Sequence, residues 1–163
     1  MGKIVSLGEL TRIRAALARK GRTVVFTNGT FDILHRGHVE YLAAARKLGD
    51  VLIVGLNTDR SIRRIKGKHR PINPNADRAA VLAALASVDY VVFFDDDTPA
   101  RLIDRLIPDV LVKGADWKPG NIVGADTVAA HGGRVRTIKL TRGRSTTSII
   151  NRVLQRHSPR RAS

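Results

Sequence analysis

Five apolar runs rich in β-branched and aromatic residues alternate with stretches of helical periodicity, and this alternation predicts a doubly wound α/β fold. Two further observations support it. The run "DVLIVGLN" at 50–57 is apolar almost without a break, as in a strand covered on both faces. Glycines close several of the helical stretches, so each helix hands over to a strand. Strands joined through helices pair in parallel by right-handed crossovers. The expected architecture is therefore a Rossmann-like, mostly parallel five-stranded sheet with helices on both faces.

The elements follow in order. "SLGEL" reads as a capping box, Ser6 with Glu9, opening a helix that runs to about residue 20 and ends at Gly21. "RTVVFTNG" is the first strand. "HVEYLAAARKLG" is helical and closes at Gly49, and "DVLIVGLN" is the second strand. The polar segment "TDRSIRRIKGKHRPINPNA" carries at most a short helix. "DRAAVLAALASV" is helical and "DYVVFF" is the third strand. "TPARLIDRLI" is a helix with Thr98 expected as N-cap and Pro99 at its first position. "PDVLVKG" is the fourth strand, "NIVGADTVAAHGG" a helix, "RVRTIKL" the fifth strand, and "STTSIINRVLQRH" the last helix. One domain over 1–156 is expected, followed by a basic, disordered tail over 157–163.

Composition narrows the function classes. A chain of 163 residues, 43% apolar and 26% charged, has the make-up of an ordinary soluble domain with a sizeable core. The absence of cysteine excludes disulfides, thiolate catalysis and cysteine-containing zinc sites. No apolar run approaches the ~18 residues of a membrane span. The N-terminus lacks the apolar core of a signal peptide, so a cytoplasmic location is expected. The net charge of +15 suits nucleic acid, an anionic membrane or phosphate-rich substrates. The basic residues are dispersed, however, and no aromatic interleaves the clusters "RRIKGKHR" and "RHSPRRAS" as base stacking requires.

Doubly wound sheets bind ligands at the carboxyl ends of their strands, near the switch in strand order. Four loops leave that rim: "TNGTFDILHRGH", "GLNTD", "VKGADW" and "TRGRSTTS". In the first, His35 and His38 flank Gly37. Histidines so spaced serve as metal ligands, an acid/base pair, an anion cradle, or simply caps and packing. The loop is neither a Walker motif nor the dinucleotide pattern G-x-G-x-x-G. Gly29 and Gly37 permit close backbone approach, and a helix beginning at Gly37 presents a positive end that favours phosphate. Zinc needs a third ligand, and His69, His131 and His157 stand in unrelated contexts. The phosphate cradle therefore ranks first. In the last loop, Ser145, Thr146 and Thr147 offer hydroxyls and N–H groups at a helix start. Ordinary capping would use one of them and leave the others unexplained.

"GTFDILHRGH" resembles the His-x-Gly-His signature of the cytidylyltransferase-like nucleotidyltransferases, and "RSTTSII" at 144–150 resembles their second signature. The resemblance runs from about 23 to 154. "SIRRIKGKHRPINPNADR" and "DDDTPARLIDRLIPDVLVKGADWKPG" are similar to members that adenylylate D-glycero-β-D-manno-heptose 1-phosphate, a domain often fused behind a sugar kinase, and the resemblance implies the stand-alone form. "GADWKP" also resembles glycerol-3-phosphate cytidylyltransferases, which supply the alternative within enzymes. A basic nucleic-acid-binding protein is the alternative of another class, and it leaves both signatures unexplained.

What the resemblance implies is transfer of AMP from ATP to a sugar 1-phosphate, with Mg²⁺ carried in on the ATP phosphates. It implies that His35 and His38 touch the triphosphate and stabilise charge at the α-phosphorus, and that Lys66 and Lys68 cover the phosphates from a loop. Thr30, Phe31 and Gly37 would lie against the nucleotide; Arg142, Arg144, Ser145, Thr146 and Thr147 would hold the outer phosphates. Lys113, Asp116 and Trp117 would serve the base or acceptor pocket; Arg78 would join them, hold the loop, or sit on a helix's polar face. Asp32 and Asp116 are candidate helpers for the metal, and Asp32 is equally a local turn acceptor. Ser148 stands where relatives often carry a cation, a charge that Arg144 would have to supply. The sequence sets no oligomeric state; relatives of this size commonly pair, so the resemblance makes a homodimer one option, and no membrane partner is expected.

Overall fold

The computed structural model describes residues 1–115, 121–141 and 143–157. The chain runs β1 (Lys3–Val5), α1 (Leu7–Arg19), β2 (Val24–Gly29), α2 (Arg36–Arg46), β3 (Val51–Asn57), α3 (Asp59–Lys66) and α4 (Asn75–Ala84). It continues β4 (Tyr90–Phe94), α5 (Ala100–Leu106), β5 (Val110–Gly114), α6 (Ala125–Ala130), β6 (Arg134–Ile138) and α7 (Thr146–His157).

The sheet has six strands in the order β1-β4-β3-β2-β5-β6, and every pairing is parallel. Five strands were expected from the sequence; the sixth is β1, three residues at the edge pairing with β4. So short a strand has no period to read, and its neighbour β4 supplies the reason it forms. Alternation along β2 sends Val25 to one face and Val24 and Phe26 to the other. The first face packs on Leu42 and Ala45 of α2 and Ala79 and Leu82 of α4. The second packs on Leu10 of α1, Leu102 and Ile103 of α5, and Val128 of α6. Every residue of β3 is buried, as its unbroken apolar run demands.

Local signals held in several places. Ser6 and Glu9 form the capping box of α1, with the Ser6 hydroxyl accepting from the Glu9 N–H at 3.2 Å. The polar segment after β3 does contain a short helix, α3. At α5 the cap differs from expectation: Pro99, not Thr98, occupies the N-cap position, and no side chain caps the helix. Thr98 is instead turned to the cleft described below. α6 is shorter than its pattern because Gly124, at φ +84°, starts it late. Among the described residues no helix is long and apolar enough to cross a membrane.

From β2 the chain winds through β3 and β4 to one side, then crosses back to β5 and β6 on the other, so strand order switches between β2 and β5. The crevice belongs at the carboxyl ends of β2 and β5.

Candidate active site

The loop from β2 to α2 is held by two buried ionic groups. Asp32 Oδ2 accepts from Arg70 Nε at 2.5 Å, and its Oδ1 accepts from the backbone N–H groups of Ile72 and Asn73 at 2.8 and 2.9 Å. Burial alone would raise the Asp32 pKa, but these donors outweigh it and hold the carboxyl below its usual range. Arg78, its side chain fully buried, donates to the carbonyls of Thr30 (2.6 Å), Asn57 (2.9 Å) and Asn73 (3.0 Å), and to Asp59 Oδ1 at 2.7 Å. One guanidinium thus ties the ends of β2 and β3 to α3 and to the loop before α4. Arg78 forms the frame of the site, behind its wall; Asp32 has both oxygens occupied by protein donors.

On that frame sit the histidines. His35 is the N-cap residue of α2, in extended conformation, and makes no side-chain cap bond. Its ring stacks on His38 with centroids 3.8 Å apart and planes 17° from parallel. Phe31, held at φ +40°, meets His38 edge-on at 5.1 Å. Gly37 is closely packed: a Cβ there would lie 3.2 Å from the His35 ring and 3.3 Å from Arg144 Cβ, so both neighbours would have to give way by a few tenths of an ångström. The Nδ1 atoms of both histidines are buried without a hydrogen-bond partner among the described residues. Burial, with His35 alongside, pushes the His38 imidazole down to about 4. Burial and the Arg144 charge lower His35 as well. Both rings are neutral near pH 7, and each keeps a ring nitrogen without a partner among the described residues.

They open onto a cleft of about 590 Å³ at the ends of β2 and β5. Of the residues picked from the sequence it gathers Thr30, Phe31, His35, Gly37, His38, Lys66, Lys113, Arg144, Ser145, Thr146 and Thr147. The Lys113 ammonium, nearly buried, donates to Asn28 Oδ1. Lys68 lies in the exposed turn after α3 and does not line the cleft. Asp116, Trp117 and Arg142 lie outside the described residues, as does the tail beyond His157. Ser145 and Ser148 cap α7 reciprocally: each backbone N–H donates to the other's hydroxyl, at 3.2 and 3.1 Å. Ser148 is therefore a capping residue, and Thr146 and Thr147 are left to the cleft.

Sequence reading missed Asn28, Tyr41, Arg70, Asp97 and Thr98, all of which line the cleft. Asn28 stands near the end of β2, where it reads as part of the strand. Tyr41 is placed by a buried hydroxyl pair with Thr27 at 2.7 Å, and Arg70 by Asp32, contacts that no local pattern announces.

A family model described as Cytidylyltransferase-like matches residues 26–152, which span both signature loops. The chain belongs to the cytidylyltransferase-like nucleotidyltransferases. It is 60% identical over 139 residues to the bifunctional protein HldE of Syntrophotalea carbinolica, covering 85% of this chain and 28% of that protein. It is 57% identical to the bifunctional protein HldE of Campylobacter concisus, covering 93% of this chain and 31% of the relative. The chain thus spans less than a third of the length of these curated relatives. Among solved structures it resembles a lipopolysaccharide core biosynthesis protein from Thermoplasma volcanium, with TM-score 0.61 and 29% identity, over 74% of this chain and 98% of that one. A pantoate-beta-alanine ligase from Francisella tularensis shares the fold at TM-score 0.58 and 15% identity, over 87% of this chain and 68% of that one. In this member of the nucleotidyltransferase family the cleft with the two histidines lies where strand order switches, the usual place for a ligand in doubly wound folds.

Proposed function

We propose that this nucleotidyltransferase transfers AMP from ATP to D-glycero-β-D-manno-heptose 1-phosphate in the cytoplasm, giving ADP-heptose and pyrophosphate. The observation that carries the nucleotidyl transfer is the stacked, neutral histidine pair opening onto a cation-lined cleft at the β2–β5 switch. The choice of acceptor is supported by the high identity to the bifunctional proteins HldE and by the stretches at 61–78 and 95–120 that resemble heptose-phosphate adenylyltransferases.

A phosphate oxygen of the acceptor attacks the α-phosphorus in line. The new O–P bond forms as the bond from the α-phosphorus to the β-bridging oxygen breaks, and pyrophosphate leaves with the electron pair. The nucleophile is already ionised, so no side chain need become one. The protein's task is to bring two anions together and stabilise charge that develops on the α-phosphoryl oxygens. His35 and His38 offer imidazole N–H donors there, and the arriving triphosphate raises their pKa values toward the charged form. Lys66, Arg70 and Lys113 offset the charge of the incoming phosphate. Thr146 and Thr147, at the start of α7, hold the outer phosphates. Mg²⁺ supplies further neutralisation when bound. With Asp32 wholly engaged by Arg70 and two backbone N–H groups, its ligands would be phosphate oxygens and water.

The test is pyrophosphate release with Mg²⁺ and heptose 1-phosphate, offering ATP and CTP in parallel. Release with ATP alone is expected. Release with CTP and glycerol 3-phosphate alone would reassign the chain to polyol-phosphate cytidylyltransferases.

A further inference from the structure

The cleft is lined by cations along most of its length: Lys66, Arg70, Lys113 and Arg144, besides the histidines. Among its described lining residues one carboxylate stands, that of Asp97 in the loop after β4. Its place is built. Asp97 Oδ1 accepts from Arg64 Nε at 2.7 Å, and the same loop is pinned through Asp95, which accepts from the Thr58 hydroxyl and from Arg60 Nε at 2.8 Å. All three partners belong to α3 or its cap, and α3 ends in Lys66. Asp97 and Lys66 are therefore carried on one braced unit.

The Asp97 side chain is 58% exposed, so water holds its second oxygen until a ligand arrives; a triphosphate at this point would be repelled. Asp97 Oδ2 and the Thr98 hydroxyl make no hydrogen bond among the described residues, and both residues border the cleft. A metal is poorly suited to this point, because the Arg64 guanidinium already rests on the carboxylate. Among the described residues no group of three metal-ligating side chains gathers. What fits this point is the uncharged, hydroxyl-bearing part of a ligand, rich in donors. Room for one exists: Asp97 and Thr98 also border a second hollow of about 340 Å³, shared with Arg64, Asp96 and Arg101.

We infer that Asp97 and Thr98 determine acceptor specificity, receiving the hydroxyl groups of a phosphorylated polyol whose phosphate points to the histidines. This rests on the reading of the chain as a transferase to a sugar phosphate. It adds which residues read the sugar. The acceptor's hydroxyls donate to Asp97 Oδ2, while its phosphate lies toward Lys66 and Arg70, so charge along the cleft orders the acceptor end to end.

The experiment measures pyrophosphate release for wild type, Asp97→Ala, Asp97→Asn and Thr98→Val. Acceptors are heptose 1-phosphate, glycerol 3-phosphate, and ethyl phosphate as an ester without free hydroxyls. Melting curves confirm that each variant folds, and Asp97→Asn preserves shape where alanine fails. Asp97→Ala is expected to raise the KM for heptose 1-phosphate by about tenfold or more, the weight of one hydrogen bond to a charged group, with the KM for ATP unchanged. Asp97→Asn should fall between. An unchanged acceptor KM in an active enzyme overturns the inference and leaves the adenylyltransferase standing. So does a rise in the Mg²⁺ requirement with acceptor KM unchanged, which would give Asp97 to the metal. If heptose 1-phosphate fails but glycerol 3-phosphate works and shows the Asp97 effect, the acceptor assignment falls and the inference holds. If no acceptor works, or ethyl phosphate works as well as the others in wild type, the inference is overturned.

Discussion

The loop bearing the histidines hangs from buried ionic clamps, whereas the second signature begins α7, a helix with no buried residue among those described. At the first, Asp32 is 1% exposed and the Arg78 side chain 0%. At the second, Val153 and Leu154 are 52% and 58% exposed, and the reciprocal serine cap is the main polar tie. The difference fits the tasks proposed for the two sides. Groups that stabilise charge at the α-phosphorus must be fixed before reaction, or reorganisation consumes their benefit. A grip on outer phosphates binds ground state and transition state alike, and it can become ordered as the ligand arrives.

The largest effect should come from breaking the clamped side. Arg78→Ala leaves three carbonyls and Asp59 without their donor in a buried place. Removing one partner from such a buried network costs about 3–5 kcal/mol. Urea unfolding should show that loss, and Arg78→Lys should recover little of it, since one ammonium cannot span the four acceptors. A loss near zero would mean that the loop is held by packing, and the contrast between the two sides would collapse.

Next comes His38→Ala. A donor aimed at developing charge contributes about 3–4 kcal/mol to the transition state, so turnover should fall by roughly 100- to 1000-fold. Because His38 Nδ1 is buried and unpartnered, its removal offsets part of the ring packing lost with His35 and Phe31, and the stability loss at pH 7 should be much smaller than at Arg78. Activity and stability would thus part company at His38 and fall together at Arg78. Steady-state rates with pyrophosphate detection and melting curves on the same samples decide it.

That division also tracks what was legible in the sequence. The histidine motif and the serine-threonine motif are local: their residues stand within a few positions of one another, so spacing alone points to a helix start facing an anion. The alternation of apolar runs was equally plain, and it fixed five of the six strands. The clamps were not legible. Arg78 meets Thr30 across 48 positions and Arg70 meets Asp32 across 38; Arg70 reads locally as an ordinary surface arginine, and for Arg78 a loop-holding role stands beside a pocket role and a helix's polar face with nothing local to choose among them. Asp97 was hidden differently, inside a run of three aspartates that reads as solvated charge until α3 supplies Arg64. Ser148 read as a missing cation because only the structure shows it bonding back to Ser145.

A smaller effect is expected at the α7 side. Ser145→Ala removes a cap worth about 1 kcal/mol to its helix. Since α7 adds nothing to the buried core among the described residues, the main unfolding transition should scarcely move. Hydrogen exchange should instead quicken across the first turns of α7, and ATP should restore protection there. Thr147→Ala should raise the KM for ATP severalfold and spare turnover. Slower turnover with unchanged KM would place Thr147 with the histidines and erase the distinction between the sides.

The smallest effect is a slope with pH, and its sign discriminates best. The His38 pKa lies near 4 in the folded chain, against 6.5 for the free side chain. Between those values the unfolded chain holds the extra proton, so stability is full above about pH 6.5 and is lost as pH falls toward 4. His38→Gln should flatten that part of the curve, with the carboxylates still titrating beneath it. ATP should act in the opposite sense. A triphosphate against the two rings favours their charged forms, so binding should draw a proton from solution. Calorimetry in two buffers of different ionisation enthalpy, at pH values above that of ATP's own titration, reads this uptake directly. Uptake that vanishes in His38→Gln assigns the proton to the stacked pair. Equal uptake in wild type and variant would place it elsewhere, and the burial that keeps His38 neutral would then serve packing and not the phosphate.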